Sequence, residues 1–354
     1  MIGSHHWRAV TAIIALALAL LGLTVMVGAR PSAAAGLPNP GTTWTLTSGL
    51  PDTDWTGVAY GNGRFVAVAN AGPDRVMTST DGTTWSASGI SGVTAHDWTS
   101  IAHGNGVFVA IAFDQSVMTS SDGLTWAAAT TSGIPAAVGW ENLTFGGGKF
   151  VAVGQQGTAA GRVMTSADGI AWTTGTIASL DATWRGVTYG GGMYVAVGFA
   201  TAGNASLIMT SSDGTNWSGA TTPGSANQYG WSVTYGAGRF VAVTAGTPGN
   251  NQVMTSTDGT NWSLAQSSAS SAWRTVGYGN GLFVAAGVHA VMTSQDGITW
   301  TNRTNPTASS DWRAIAYQNG IFVAVGDSGD GGTGNRGMYS GTFTSASPAV
   351  TGVS

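Results

Sequence analysis

The chain of 354 residues has no cysteine, which excludes disulfides, thiolate metal sites and a thiol that could carry a lipid. Charge is also scarce. Asp, Glu, Lys and Arg together make up 8% of the residues, and Glu141 is the only glutamate. Without Arg8 and Arg30, which lie in the N-terminal segment, 12 − 2 = 10 basic residues face 16 acidic ones, a net charge of −6. Such a surface repels phosphate backbones, so nucleic acid is not an expected partner. Beyond the N-terminal segment no stretch has helical periodicity. The 55 glycines, with abundant Ser, Thr and Ala, instead suit a β protein with many tight turns.

The N-terminus has a separate pattern. His5, His6 and Arg8 precede an apolar run from Ala9 to Ala29, followed by Pro31-Ser32-Ala33-Ala34-Ala35. This reads as an export signal over residues 1–35 with cleavage at Ala35/Gly36. The run is also long enough to remain as an uncleaved anchor. After signal cleavage the chain would have no membrane segment, and residues 36–40 would be a short linker.

Residues 41–344 repeat. Trp55, Trp98, Trp140, Trp184, Trp231, Trp273 and Trp312 are spaced by 43, 42, 44, 47, 42 and 39 residues, the period of a four-stranded unit. Each unit reads as four strands. In the first, Trp55 to Tyr60 is followed by a G-N-G turn, Arg64 to Ala69, Arg75 to Ser79, an Asp81-Gly82 turn and Thr83 to Ser86. An F/Y-V-A pattern recurs at Phe65, Phe108, Phe150, Tyr194, Phe240, Phe283 and Phe322, and a third-strand methionine at Met77, Met118, Met164, Met209, Met254, Met292 and Met338. These counts predict an all-β, seven-bladed β-propeller with four antiparallel strands per blade. Trp231 stands four residues before its tyrosine where the other units have five, which reads as a local deletion or bulge in blade five.

A second tryptophan series closes the motif S-x-D-G-x-x-W. Its six copies contain Asp81, Asp122, Asp168, Asp213, Asp258 and Asp296 and end at Trp85, Trp126, Trp172, Trp217, Trp262 and Trp300. The seventh unit lacks the motif, while Gly41-Thr42-Thr43-Trp44 reads like its missing tail. The N-terminal strand is therefore expected to complete the last blade. The motif resembles the Asp-box, or BNR repeat, of sialidases and other secreted glycan-active propellers, shortened by one residue. The resemblance implies a structural role for these aspartates, each bonding the amides of its own turn. Residues 345–354 read as a C-terminal linker or the start of a further domain, and Ser347-Pro348-Ala349-Val350-Thr351-Gly352-Val353-Ser354 resembles the opening strand of an IPT/TIG immunoglobulin-like domain.

Candidate chemistry lies on one face. The turns between strands one and two and between strands three and four are short and uniform, whereas the other connections vary, so binding loops are expected on the variable rim. There the strand starts offer Asp54, Asp97 and Glu141 in blades one to three. Arg185, Arg274 and Arg313 follow in blades four, six and seven, with Asp311 beside the last and Tyr229 or Tyr235 nearby. Three arginines could clamp a carboxylate. Glu141 with Asp97 or Asp54 could form the carboxyl pair of a glycosidase. The same charges also read as rim residues pairing across blades. Asp327 and Asp330, with Asn335, have oxygens for a calcium ion but lack the spacing of an EF-hand. His96, His103 and His289 fall in three different units, which does not suggest a zinc triad.

The expectation is a monomeric, exported or cell-surface binding or scaffold module. Its ligand would be a glycan or another extracellular protein, and it would need no cofactor. A glycoside hydrolase built on Glu141 and an inert spacer are the alternatives.

Overall fold

The computed structural model describes residues 39–342, apart from 48–49, 52, 73–74, 88–95, 130–132, 135–137, 156–161, 179, 202–204, 224–227, 247–252, 308 and 328–335. The leader, its cleavage site, the C-terminal segment 345–354 and Asp330 lie outside these residues.

The described residues form seven antiparallel sheets in a ring, and the first, innermost strand of each packs against the innermost strand of the next. The inner strands are Trp55–Gly61, Trp98–Gly104, Gly139–Gly146, Ala182–Gly190, Gln228–Gly236, Trp273–Gly279 and Asp311–Gln318. Each turns into its second strand through two residues of positive φ, as in Asn62-Gly63 (45° and 83°) and Ala237-Gly238 (48° and 76°). This is the twist-matched hairpin turn that Asn and Gly favour. The third and outer strands follow, as in Val76–Ser79 and Ser86–Ala87 of blade one. The outer strand is shorter than its sequence suggests because Thr83 and Thr84 give their amides to Asp81 Oδ1, at 2.7 and 2.8 Å, and so leave the ladder. Blade four gains a fifth strand, Thr176–Ile177, parallel to its outer edge.

Blade contacts repeat around the ring. Seven hydrophobic clusters fill the seven interfaces, and six of them combine a first-series tryptophan with one from the second series. Six of the seven inner strands end in glycine, and an aromatic residue of the following blade covers each of these glycines. A Cβ on Gly190 would lie 2.1 Å from Tyr235, so only glycine fits there.

The aspartate turns are built alike. In blade one Ser79 Oγ donates to Asp81 Oδ1 at 3.0 Å and accepts the Gly82 amide at 2.8 Å, while Trp85 Nε1 donates to the Gly82 carbonyl at 3.2 Å. Asn216 and Asn261, each the first residue of an N-x-S sequon, donate their side-chain amides to Asp213 and Asp258 at 2.8 Å and brace these turns.

The seventh turn is assembled from both ends of the described chain. Thr45–Leu46 pairs with Gly337–Gly341 as the outer strand of blade seven. The Gly41 amide donates to Ser340 Oγ at 2.8 Å and Trp44 Nε1 donates to the Gly41 carbonyl at 3.2 Å, matching the contacts of Gly82 and Trp85. Pro40 stands where the other turns have aspartate, so this turn keeps the serine, glycine and tryptophan and lacks the carboxylate.

The tryptophan series needs one correction. In blade five Gly230, not Trp231, pairs opposite Thr244 and stands five residues before Tyr235, the position of Trp55 in blade one. Nothing is deleted. The blade five cluster accordingly contains Trp262 as its one tryptophan, beside Ile208, Phe240 and Met254.

Closure by the N-terminal strand makes the ring one cooperative unit. Deleting residues 36–50 should abolish a single sharp melting transition, and Trp44→Ala should cost about 3–5 kcal/mol in urea unfolding. An unchanged melt would show that the ring closes by other means.

The turn carboxylates also set the acid limit. Asp122 is held at about 2 by the amides of Thr125 and Leu124. For Asp296 burial pushes the carboxyl up, but the amides of Thr299 and Ile298 with the Ser294 and Thr299 side chains outweigh it and hold it at about 2. Folded values below the unfolded value of about 3.9 stabilise the fold above that pH, and the stabilisation is lost as pH falls towards about 2. The melting temperature should therefore drop across this window, and Asp122→Asn should make the drop shallower.

Candidate functional site

In every blade the register of the inner hairpin slips by one residue immediately after the tryptophan position. A bulge of this kind leaves one residue out of the ladder and re-aims its side chain. The bulged residues are Thr56, Thr99, Glu141, Arg185, Trp231, Arg274 and Arg313. All seven line one cavity of ≈ 460 Å³ at the mouth of the channel, on the variable-loop face. Asn70, Asp97, Phe113 and Asp327 add to its rim.

The mouth has two unlike arcs. On the side of blades one and two, Thr56 Oγ1 donates to the Trp98 carbonyl at 2.7 Å and Thr99 Oγ1 to the Trp140 carbonyl at 2.8 Å, so both hydroxyls serve to join blades. From blade three to blade seven the contacts form a continuous chain. Gln155 Nε2 donates to Glu141 Oε1, and Glu141 Oε2 accepts Arg185 at 2.7 Å. The Arg185 guanidinium lies 5.0 Å from the Trp231 ring centre and that of Arg274 lies 4.1 Å from it. Arg274 Nε stands 3.4 Å from Asp311 Oδ1, and Arg313 contacts Asp311 at 2.9 Å and Asp327 at 2.8 Å. Burial pushes the Glu141 carboxyl above its ordinary value, against the pull of Arg185. The Asp311 carboxyl is also raised by burial, against Arg313 and Arg274.

The residues singled out from the sequence separate accordingly. Glu141, Arg185, Arg274 and Arg313 come together in the mouth, and Asp311 lies buried behind them. Asp97 reaches the cavity rim but is 69% exposed and paired with Arg75 at 3.2 Å. Asp54 is not among the cavity-lining residues and pairs with Arg336. Tyr229 packs edge-on against Phe199, with ring centres 4.8 Å apart, and does not line the cavity. Asp327 is an ion-pair partner of Arg313, and among the described residues no group of three potential metal ligands occurs.

Two features escaped the sequence reading. Arg75, Arg162 and Arg336 each precede a third strand and reach the linker of the next blade, meeting Asp97, Asp181 and Asp54. Trp231 counts in the first tryptophan series by sequence, and its spacing of four to Tyr235, which reads as a deletion or bulge, is the signal that it occupies the bulge position instead.

No protein-family model matches the chain, and no curated protein matches it in sequence. Solved structures share its fold. A streptogramin B lyase superposes with a TM-score of 0.67 at 12% identity, covering 86% of this chain and 98% of that one. YCF48 bound to D1 peptide gives 0.63 at 16% identity, covering 89% and 100%. YCF48 from Cyanidioschyzon merolae gives 0.60 at 14%, covering 84% and 98%. The chain is a seven-bladed β-propeller. At these identities the likeness extends to the fold alone.

The position of Trp231 is open to a direct comparison. Trp273→Ala, in the core, should cost about 3–5 kcal/mol. Trp231→Ala forfeits mainly two cation–π contacts and should cost about 1–2 kcal/mol. Equal losses in chemical denaturation would return Trp231 to the core series.

Proposed function

We propose that this protein is a binding module that takes a segment of another protein into the mouth of its channel. The observation that carries this reading is the convergence on one cavity of seven bulge residues of four different types, at a position flanked by strand residues that repeat from blade to blade. A scaffold that needed only to close would use one residue type at that position. The cavity suits a chain segment or side-chain group rather than a flat macromolecular face. The shared fold with YCF48, solved with a D1 peptide, supports a peptide ligand by analogy only. On the reading of residues 1–35 as an export signal, the partner is extracellular.

A glycan ligand has less support. Sugar binding commonly uses an open aromatic face, and here the Trp231 indole is flanked by guanidinium groups from the blades on either side. The hydrolase reading is weakened as well. Glu141 is tied to Arg185 and Gln155, Asp97 to Arg75, and Asp54 to Arg336 away from the cavity lining. A raised Glu141 carboxyl suits a general acid, but among the described residues lining the cavity it has no unengaged carboxylate as a partner.

Parallel peptide and glycan arrays probed with the purified protein separate these readings. Retention on peptides, weakened about tenfold or more by Trp231→Ala while the fold persists, is the expected result. Retention on glycans alone would overturn it, and sugar release abolished by Glu141→Gln would establish the hydrolase. No retention on either array would favour the spacer.

A further inference from the structure

The three arginines of the mouth are not equivalent. Arg313 is committed, with Nε and one terminal nitrogen both donating to Asp327 Oδ2, at 3.1 and 2.8 Å, and the same terminal nitrogen 2.9 Å from Asp311. Arg185 gives one terminal nitrogen to Glu141, and its buried Nε has no hydrogen-bond partner. Arg274 is the least satisfied. Its one polar contact among the described residues is the 3.4 Å approach of Nε to Asp311 Oδ1, and both of those atoms are buried without a hydrogen bond. A guanidinium has five N–H donors. Stacking on an indole covers the face of the group and leaves its in-plane donors available. The Arg274 terminal nitrogens have no protein acceptor among the described residues and are not buried, so they are the donors left for a ligand that supplies acceptors.

We propose, building on the peptide-binding reading, that Arg274, stacked on Trp231 and facing the cavity, anchors a carboxylate of the bound segment, with Arg185 beside it. A carboxylate matches the planar fork of a guanidinium with two parallel bonds, which a single backbone carbonyl cannot supply. The protein's own carboxylate does not meet this need. Asp311 lies 2.9 Å from Arg313, and its other oxygen stays 3.4 Å from Arg274. The anchoring group is a Glu or Asp side chain or a free chain terminus, and the chemistry of the seat is common to both.

The test uses a library of N-acetylated octapeptides, each made in four forms: unchanged, with Glu and Asp replaced by Gln and Asn, with an amidated C-terminus, and with both changes. Wild-type protein should bind at least one carboxylate form about tenfold or more tighter than its neutral counterpart, and the form that matters identifies side chain or terminus. Arg274→Gln should remove that difference by weakening the carboxylate form far more than the neutral form. Lys149→Gln, on the opposite face, should keep it. Melting curves report whether Arg274→Gln folds. If it does not, Arg274→Lys, which keeps the charge without the fork, should reduce the preference. Equal binding of acid and neutral forms by the wild type would overturn the carboxylate assignment alone, as would an equal loss for both forms in Arg274→Gln. Failure of every form to bind would instead overturn the peptide-binding reading.

Discussion

Blade-to-blade packing is the contact on which this molecule depends. No blade buries its own tryptophans alone; the indoles at Trp55 and Trp85 sit in a cluster with Ile321, Val323 and Val325 of the preceding blade. Because each interface is completed by a neighbour, the array is stable only as a closed ring, and a chain with two ends must join somewhere. It joins inside an aspartate-type turn, whose serine comes from residue 340 and whose glycine and tryptophan come from residues 41 and 44. The closing turn lacks the carboxylate, and its outer strand is two residues long. Burial of Trp44 against Val284, Phe322 and Met338 therefore carries most of the closure.

Closure also explains how a repetitive chain acquires a unique site. The inner strands crowd around the axis, and each bends away through a bulge after its tryptophan position. One residue per blade is thereby released from both the ladder and the core. Within the inner strands it is where the chemistry diverges: two threonines, a glutamate, three arginines and a tryptophan. The neighbouring positions stay confined. Gly186 has Ser232 Cα and the Trp231 carbonyl 2.9 Å from where a Cβ would stand.

Much of this was legible in the sequence, because the fold is written in period and turn chemistry. Seven hairpins with Asn or Gly in their turns, seven methionines and the orphan Trp44 required no structural knowledge to count. The mouth was legible only in part. Glu141, Arg185, Arg274 and Arg313 stood out as charges at equivalent places, but the bulge that brings them together depends on strand pairing, which residue types alone do not specify. Asp54 and Asp97 looked equivalent to Glu141 because they lie near the same tryptophan. They precede it instead of following it, and that displacement hands them to Arg336 and Arg75. Trp231 was hidden by its own residue type, since a tryptophan near the expected spacing is readily counted as one more member of the series.

The exchange at blade five ties the fold to the site. Gly230 gives up the large buried side chain that the other blades use, and the cluster there is filled by Ile208, Phe240 and Met254 around Trp262. The indole reappears one residue later in the mouth, between two guanidinium groups of like charge. A ring face offers each of them an attraction worth about 0.5–2 kcal/mol without consuming its hydrogen-bond donors. A carboxylate in the same place would have neutralised the arginines and occupied those donors. The tryptophan instead holds Arg185 and Arg274 in position while leaving donors directed to the cavity, as a site that recognises its ligand through guanidinium groups requires.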